Sequence, residues 1–238
     1  MNLESLLVSK DAALVGVLRP TLEKISVNVA VCPDANSGNE SLAKHKFDAV
    51  IIDCDDMQDG VTLLQGLRST QSNARSVAFA VLNGKTTTQD AFKSGANFVL
   101  QKPLTPLHAT RCFHAALNFM VRERRRYYRY PIEMSVHVSI ARVGEVTATS
   151  TNLSESGIAI RSTTKLNKDT TVGLRFSLPT TNISLELKGE IAWADSSGRA
   201  GIKFVDVPQN AQYQLDKWLT ERLQNDMPRN LQGHASLV

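Results

Sequence analysis

The 238-residue sequence predicts two small domains: a doubly wound α/β domain on a five-stranded parallel sheet, then a small antiparallel β-barrel with a C-terminal helix. Three observations carry this. In the first half, short apolar runs alternate with helical or loop-like segments. After Pro131 the apolar residues recur at every second position, and an apolar stripe at helical spacing follows Pro208. At roughly 150 residues per domain, the length itself falls between one domain and two.

Taken in order, SLLVS (5–9), SVNVAV (26–31), DAVIID (48–53), SVAFAVL (76–82) and NFVLQ (97–101) read as five buried strands. Strands that alternate with helices imply βαβ units and a parallel sheet covered on both faces. After Pro106, the spacing of Phe113, Ala116, Leu117 and Met120 makes one helical stripe, and that helix should run on through Val121 into the arginines that follow. From Pro131 the period is two. Ile132, Met134, Val136, Val138 and Ile140 alternate with polar residues, which predicts one half-buried strand over 131–140. In SLELKGEIAW the same pattern places Leu185, Leu187, Ile191 and Trp193 on one face. Turn clusters at Val143-Gly144, Ser154 to Gly157, Pro179 to Asn182 and Ser196 to Gly198 separate short strands at barrel spacing. The last helix carries Ala211, Leu215, Trp218, Leu219 and Leu223. The expected domains are 1–121 and 122–224, with a flexible tail over 225–238 that lacks periodicity.

Composition narrows the function classes. With 42% hydrophobic and 21% charged residues, the chain is of ordinary globular type, not mainly disordered or fibrous. Cys32, Cys54 and Cys112 are odd in number and far apart, which supports neither a disulfide framework nor a zinc site. The N-terminus makes a poor signal peptide, because Lys10 and Asp11 break its apolar run. No segment reaches the roughly 18 apolar residues of a membrane span, so the expected location is the cytoplasm. An enzyme is the least expected class. His108 and His114 lie too far apart for helical metal ligation, and no nucleophile elbow or phosphate-binding loop is present.

The net charge of +4 is concentrated at the junction, where Arg122, Arg124, Arg125, Arg126 and Arg129 fall within RERRRYYRYP. By charge pattern alone this is a solvated helix end facing the negative pole of the helix dipole. NLSESG (152–157), by itself, is an ordinary polar turn. Together, RxxxR (Arg125, Arg129) and NxSxxG (Asn152, Ser154, Gly157) resemble the two-part signature of the PilZ family, which binds cyclic di-GMP. The resemblance extends to EIAWADSSGRAGIKFVDV (190–207) and covers about residues 122–224. It implies that Arg125 and Arg129 grip the ligand's phosphates and guanines, that Asn152 and Ser154 meet a guanine edge, and that Gly157 lets the backbone turn beside the ligand. Arginine is well suited to such contacts, because its planar fork pairs bidentately with guanine O6 and N7 and bridges phosphates. Arg124 stands where family members that bind a stacked ligand dimer often carry a basic residue. Tyr127 and Tyr128 are expected to serve packing rather than stacking on the ligand.

The first half is similar to a response-regulator receiver domain over about residues 3–120. FDAVIIDCDD places Asp53 where the family has its phosphoryl acceptor, and SGANFVLQKPL places Lys102 where it has its conserved lysine. Two positions depart. Ser9-Lys10 replaces the acidic pair that holds Mg²⁺, and Asn83 replaces the Ser or Thr after the fourth strand. Without that pair the metal cage is lost, so a pseudo-receiver that is not phosphorylated is expected, with Lys10 pairing with Asp53. Asp11 is a partial substitute for the acidic pair if the register slips by one residue.

These readings imply a cyclic di-GMP receptor that acts through an unknown protein partner, contacted through the receiver-like domain, and that is able to form a homodimer. Two rivals remain open: a phosphorylation-responsive regulator with a non-binding barrel, and a nucleic-acid-binding protein using the arginine run. The near-neutral remainder of the chain and the lack of a helix-turn-helix or RNA-binding signature count against DNA or RNA. No cofactor is implied beyond the nucleotide ligand.

Overall fold

The computed structural model describes residues 2–141, 143–228 and 231. Contacts divide these into a first unit that runs to Arg124 and a second unit from Arg125 to Asn225, with Asp226 and the described residues after it grouped with the first.

The first unit alternates strand and helix as expected: β1 (Leu3–Val8), α1 (Ala12–Glu23), β2 (Val27–Cys32), α2 (Ala35–Lys44), β3 (Ala49–Asp53), α3 (Gly60–Leu67), β4 (Val77–Leu82), α4 (Thr88–Lys93), β5 (Phe98–Gln101) and α5 (Pro106–Tyr127). The strands pair in parallel in the order β2-β1-β3-β4-β5. Every residue of β3 and β4 is buried, the pattern of central strands covered on both faces. Helix α5 seals one face through Phe113, Ala116, Leu117 and Met120, and the Phe113 ring meets Phe79 edge-on at 5.2 Å. The C-terminal ends of β1, β3 and β5 deliver Ser9, Asp53 and Lys102 to one edge of the sheet, where open α/β sheets place their sites.

The second unit contains β6 (Tyr130–Pro131), β7 (Ser135–Ile140), β8 (Gly144–Ser154), β9 (Gly157–Arg161), β10 (Thr171–Ser177), β11 (Ser184–Ala194) and β12 (Arg199–Val205), followed by α6 (Gln209–Asp226). Strands β8-β7-β10-β11-β12-β9 pair in sequence and β9 returns to β8, which closes a six-stranded antiparallel barrel with β6 attached to β8. Closure leaves no free edge among these six strands. Leu215, Trp218 and Leu219 of α6 join the barrel core. The Trp218 indole donates to Pro179 O at 3.1 Å and meets the Tyr130 ring edge-on at 5.4 Å.

Two expectations are corrected here. The single strand over 131–140 is two strands, because Ser150 captures the backbone between them: its hydroxyl donates to Ile132 O at 2.6 Å and accepts from Met134 N at 3.0 Å. Trp193 does not share the core face of Leu185, Leu187 and Ile191. A bulge between Ile191 and Trp193 inserts one residue and turns the indole outward, to 47% exposure. Within the expected flexible tail, Met227 and Leu231 are buried. The rest of that segment, 229–230 and 232–238, lies outside the described residues.

Candidate functional site

In the second unit, four strands run side by side beneath a cavity of about 420 Å³ lined by Arg129, Asn152, Gly157, Ala159, Trp193 and Lys203, among others. That volume is within the roughly 300–1,000 Å³ of small-molecule sites. Its floor is one cross-strand row. Asn152 of β8 pairs with Ala159 of β9, Ala159 with Gly201 of β12, and Gly201 with Trp193 of β11. The Trp193 indole lies over Gly201, so the open part of the row is the stretch over Ala159 between the Asn152 amide and the indole. Both residues follow bulges, one between Ser150 and Asn152 and the other between Ile191 and Trp193, so each bulge re-aims a side chain into the cavity. Gly201 is required in this row: any Cβ there would collide with the Trp193 indole. Composition and spacing pointed to neither Trp193 nor Lys203 as site residues, although Trp193 was visible as part of the closing hairpin.

The rim is set by the two motifs. Helix α5 ends at Tyr127, and Arg129 follows before β6. Arg129 Nη1 donates to Ser154 Oγ at 3.1 Å, and that hydroxyl donates in turn to Gly157 O at 3.0 Å, closing the 154–157 turn. Ser154 is 1% exposed, so it positions Arg129 rather than presenting a free edge to a guanine. Gly157 is needed for strand approach: a Cβ would stand 2.5 Å from Ile202 O. Arg125 does not line the cavity. Its Nε lies 3.8 Å from Glu155 Oε2 and is buried without a hydrogen-bond partner. Burial, with Glu155 adding to it and Arg125 opposing, raises the carboxyl of the nearby Asp216 on α6 above its ordinary value. Tyr128 is buried beside Tyr130, a packing role, while Tyr127 is exposed.

Arg124 does not line the cavity either. Its guanidinium is bound within the first unit, with Nη2 at 2.7 Å and Nε at 3.0 Å from Asp48 Oδ2 and Nη2 at 3.2 Å from Asn2 O. Burial pushes the Asp48 carboxyl up to about 6, against the pull of that guanidinium. Arg124 thus has a strong prior partner on the α/β domain.

Replacing Ala159 by Leu, whose side chain projects from the half-buried floor into the cavity, should leave the barrel folded and lower cyclic di-GMP affinity at least about tenfold. Fluorescence titration of the exposed Trp193, paired with thermal unfolding of the same variant, checks both halves of that expectation.

The receiver-like edge has its own geometry. Lys102 Nζ donates to Asp56 Oδ2 at 2.8 Å and to Asp53 Oδ2 and Asp11 Oδ2 at 3.0 Å each. Ser9 Oγ donates to Asp53 Oδ2 at 2.7 Å. The expected Lys10 pairing is corrected: Lys10 is exposed, and the cation on Asp53 is Lys102. Burial disfavours the Lys102 ammonium, but Asp56, Asp53 and Asp11 outweigh it and hold its pKa well above the ordinary lysine value. The same contacts hold Asp11 and Asp56 below the usual carboxylate range, Asp56 with help from the Asn83 amide at 3.0 Å. Asp11 also caps α1 by accepting from Ala13 N and Leu14 N, so it does not stand free as a replacement for the acidic pair. Asp53 is fully buried. One ammonium therefore occupies the point where three carboxylates converge.

Residues 123–221 match the family model of the PilZ domain, and residues 6–111 match that of the response regulator receiver domain. No curated protein matches the chain. Among solved structures, similar ones include the receiver domain of a sensor histidine kinase from Pseudomonas aeruginosa, 20% identical over 48% of this chain and 97% of that one, with a TM-score of 0.43. A chemotaxis response regulator of Vibrio cholerae is 17% identical over 48% and 98%, at 0.45. A receiver domain protein from Methanospirillum hungatei is 20% identical over 52% and 99%, also at 0.45.

Proposed function

We propose that this chain, which joins a receiver domain to a PilZ domain, is a non-enzymatic cytoplasmic receptor for cyclic di-GMP that signals through contacts of its receiver domain with a protein partner. The observation that carries the reading is the Arg129–Ser154 bond at the mouth of a cavity floored by Asn152, Ala159, Gly201 and Trp193, because it joins RxxxR to NxSxxG at one place. The chemistry fits a guanine dinucleotide. The indole that lies over Gly201 offers a stacking face beside the small Ala159, Asn152 offers both an acceptor and donors, and Arg129 and Lys203 offer charge to phosphate. Arg125 adds a buried Nε that faces Glu155 at 3.8 Å without a hydrogen bond, a donor that gains one when it turns from that carboxylate to an anion. Isothermal titration with cyclic di-GMP tests the reading.

The receiver domain is proposed to be a pseudo-receiver. Phosphoryl transfer to Asp53 needs Mg²⁺ to neutralise the incoming charge, yet Ser9 and Lys10 stand in place of acidic ligands and Lys102 already neutralises Asp53, Asp56 and Asp11. Treatment with a small phosphodonor and Mg²⁺ is expected to add no phosphate, as read by intact mass. Stoichiometric phosphate that disappears in Asp53→Asn would contradict this and favour the phosphorylation-responsive reading.

A further inference from the structure

A second cavity in the barrel unit, of about 1100 Å³, lies between the 161–168 segment that follows β9 and the 194–199 turn between β11 and β12. It shares no lining residue with the nucleotide cavity. Arg161, Lys165 and Lys168 line it, are exposed, and have no hydrogen-bond or ion-pair partner among the described residues. The remaining cation, Arg199, is bound to Asp195 at 2.8 Å, and Asp195, held down to about 2 first by Ser197 and then by Arg199, stays ionised and paired. Arg161 faces Arg199 directly across the β9–β12 pair, so like charges are adjacent without a second counter-ion. That arrangement costs stability and is relieved when an anion binds. Thr163, Thr164 and Ser196 line the same cavity, while the Ser197 hydroxyl already donates to Asp195 Oδ1 at 2.7 Å.

We infer that this groove docks a carboxylate-rich peptide segment of a partner protein. Concavity, three unpaired cations and the hydroxyl side chains of Thr163, Thr164 and Ser196 in the lining match an extended acidic chain. Nucleic acid is the poorer match, because no aromatic side chain lines the groove to stack a base. This assignment does not depend on the nucleotide reading.

The test uses the full chain and a fluorescent octapeptide of glutamates, followed by anisotropy, with a mixed-sequence single-stranded DNA octamer as the second probe. The peptide is expected to bind saturably and to weaken about tenfold or more in the triple variant Arg161→Gln, Lys165→Gln, Lys168→Gln. All three positions are exposed, so the variant keeps the wild-type circular dichroism and melting temperature. Cyclic di-GMP affinity is expected to be unchanged in the same variant. Peptide binding that is absent, or indifferent to the triple change, overturns the inference. So does DNA that binds more tightly than the peptide, and so does a parallel loss of cyclic di-GMP affinity, which would make the groove an extension of the nucleotide site.

Discussion

The double variant Arg125→Ala, Arg129→Ala is expected to lose cyclic di-GMP affinity by at least a hundredfold, while Arg122→Ala stays within about threefold of wild type. Each charge-assisted hydrogen bond to a phosphate or guanine contributes on the order of 1.5–3 kcal/mol, and two such losses exceed the 2.7 kcal/mol or so that a hundredfold change requires. The two arginines reach this effect by different routes. Arg129 is held at the cavity rim by Ser154, whose hydroxyl is fixed by Gly157 O, so its removal deletes a preorganised donor. Arg125 lies outside the cavity lining, its buried Nε 3.8 Å from Glu155 Oε2 and without a hydrogen bond, so it is expected to act by leaving that carboxylate for the ligand. Calorimetry on the two single variants and the double separates these routes. Equal, shallow losses at Arg122, Arg125 and Arg129 would instead describe a diffuse basic patch.

Lys102→Ala is the change expected to cost the first unit most. It strips the ammonium from Asp53, Asp56 and Asp11 and leaves a fully buried carboxylate facing two others. Breaking a buried charge cluster on one side costs about 3–5 kcal/mol; because Asp11 and Asp56 are partly solvated, about 3 kcal/mol is expected. For a domain of this size that lowers the melting temperature by roughly 10 °C. Adding Asp53→Asn to Lys102→Ala should recover more than half of the loss, since it removes the charge with least access to water. Thermal unfolding of wild type, the two singles and the double gives the cycle directly. A Lys102→Ala protein as stable as wild type would show that the ammonium is not what neutralises this edge of the sheet.

Much of the architecture was legible in the sequence, for specific reasons. The central strands β3 and β4 were readable because their burial on both faces writes continuous apolar runs, and α5 and α6 because Phe113 to Met120 and Leu215 to Leu223 keep helical spacing. Strand boundaries failed where a side chain competed with the ladder, as Ser150 does between β6 and β7. The outward turn of Trp193 was hidden because a bulge adds a residue without any compositional mark, and period-two reasoning then assigns everything beyond it to the wrong face. Asn152 was singled out through its motif alone, and its place beside the cavity follows a bulge that the sequence does not mark. The partners of Arg124 and Asp53 were out of reach for another reason. Arg124 meets a carboxylate 76 positions away and Lys102 meets Asp53 across 49, and local pattern carries no information about such pairs. Lys10, adjacent to the site in sequence, was therefore credited with a contact that Lys102 makes.

Titration of the wild-type chain with cyclic di-GMP in an isothermal calorimeter, with GTP as the control, tests the central claim most directly. Saturable binding with a dissociation constant of about 10 μM or tighter, and no comparable heat from GTP, is the expected result. A flat cyclic di-GMP isotherm from correctly folded protein, or an isotherm that GTP reproduces, would contradict it.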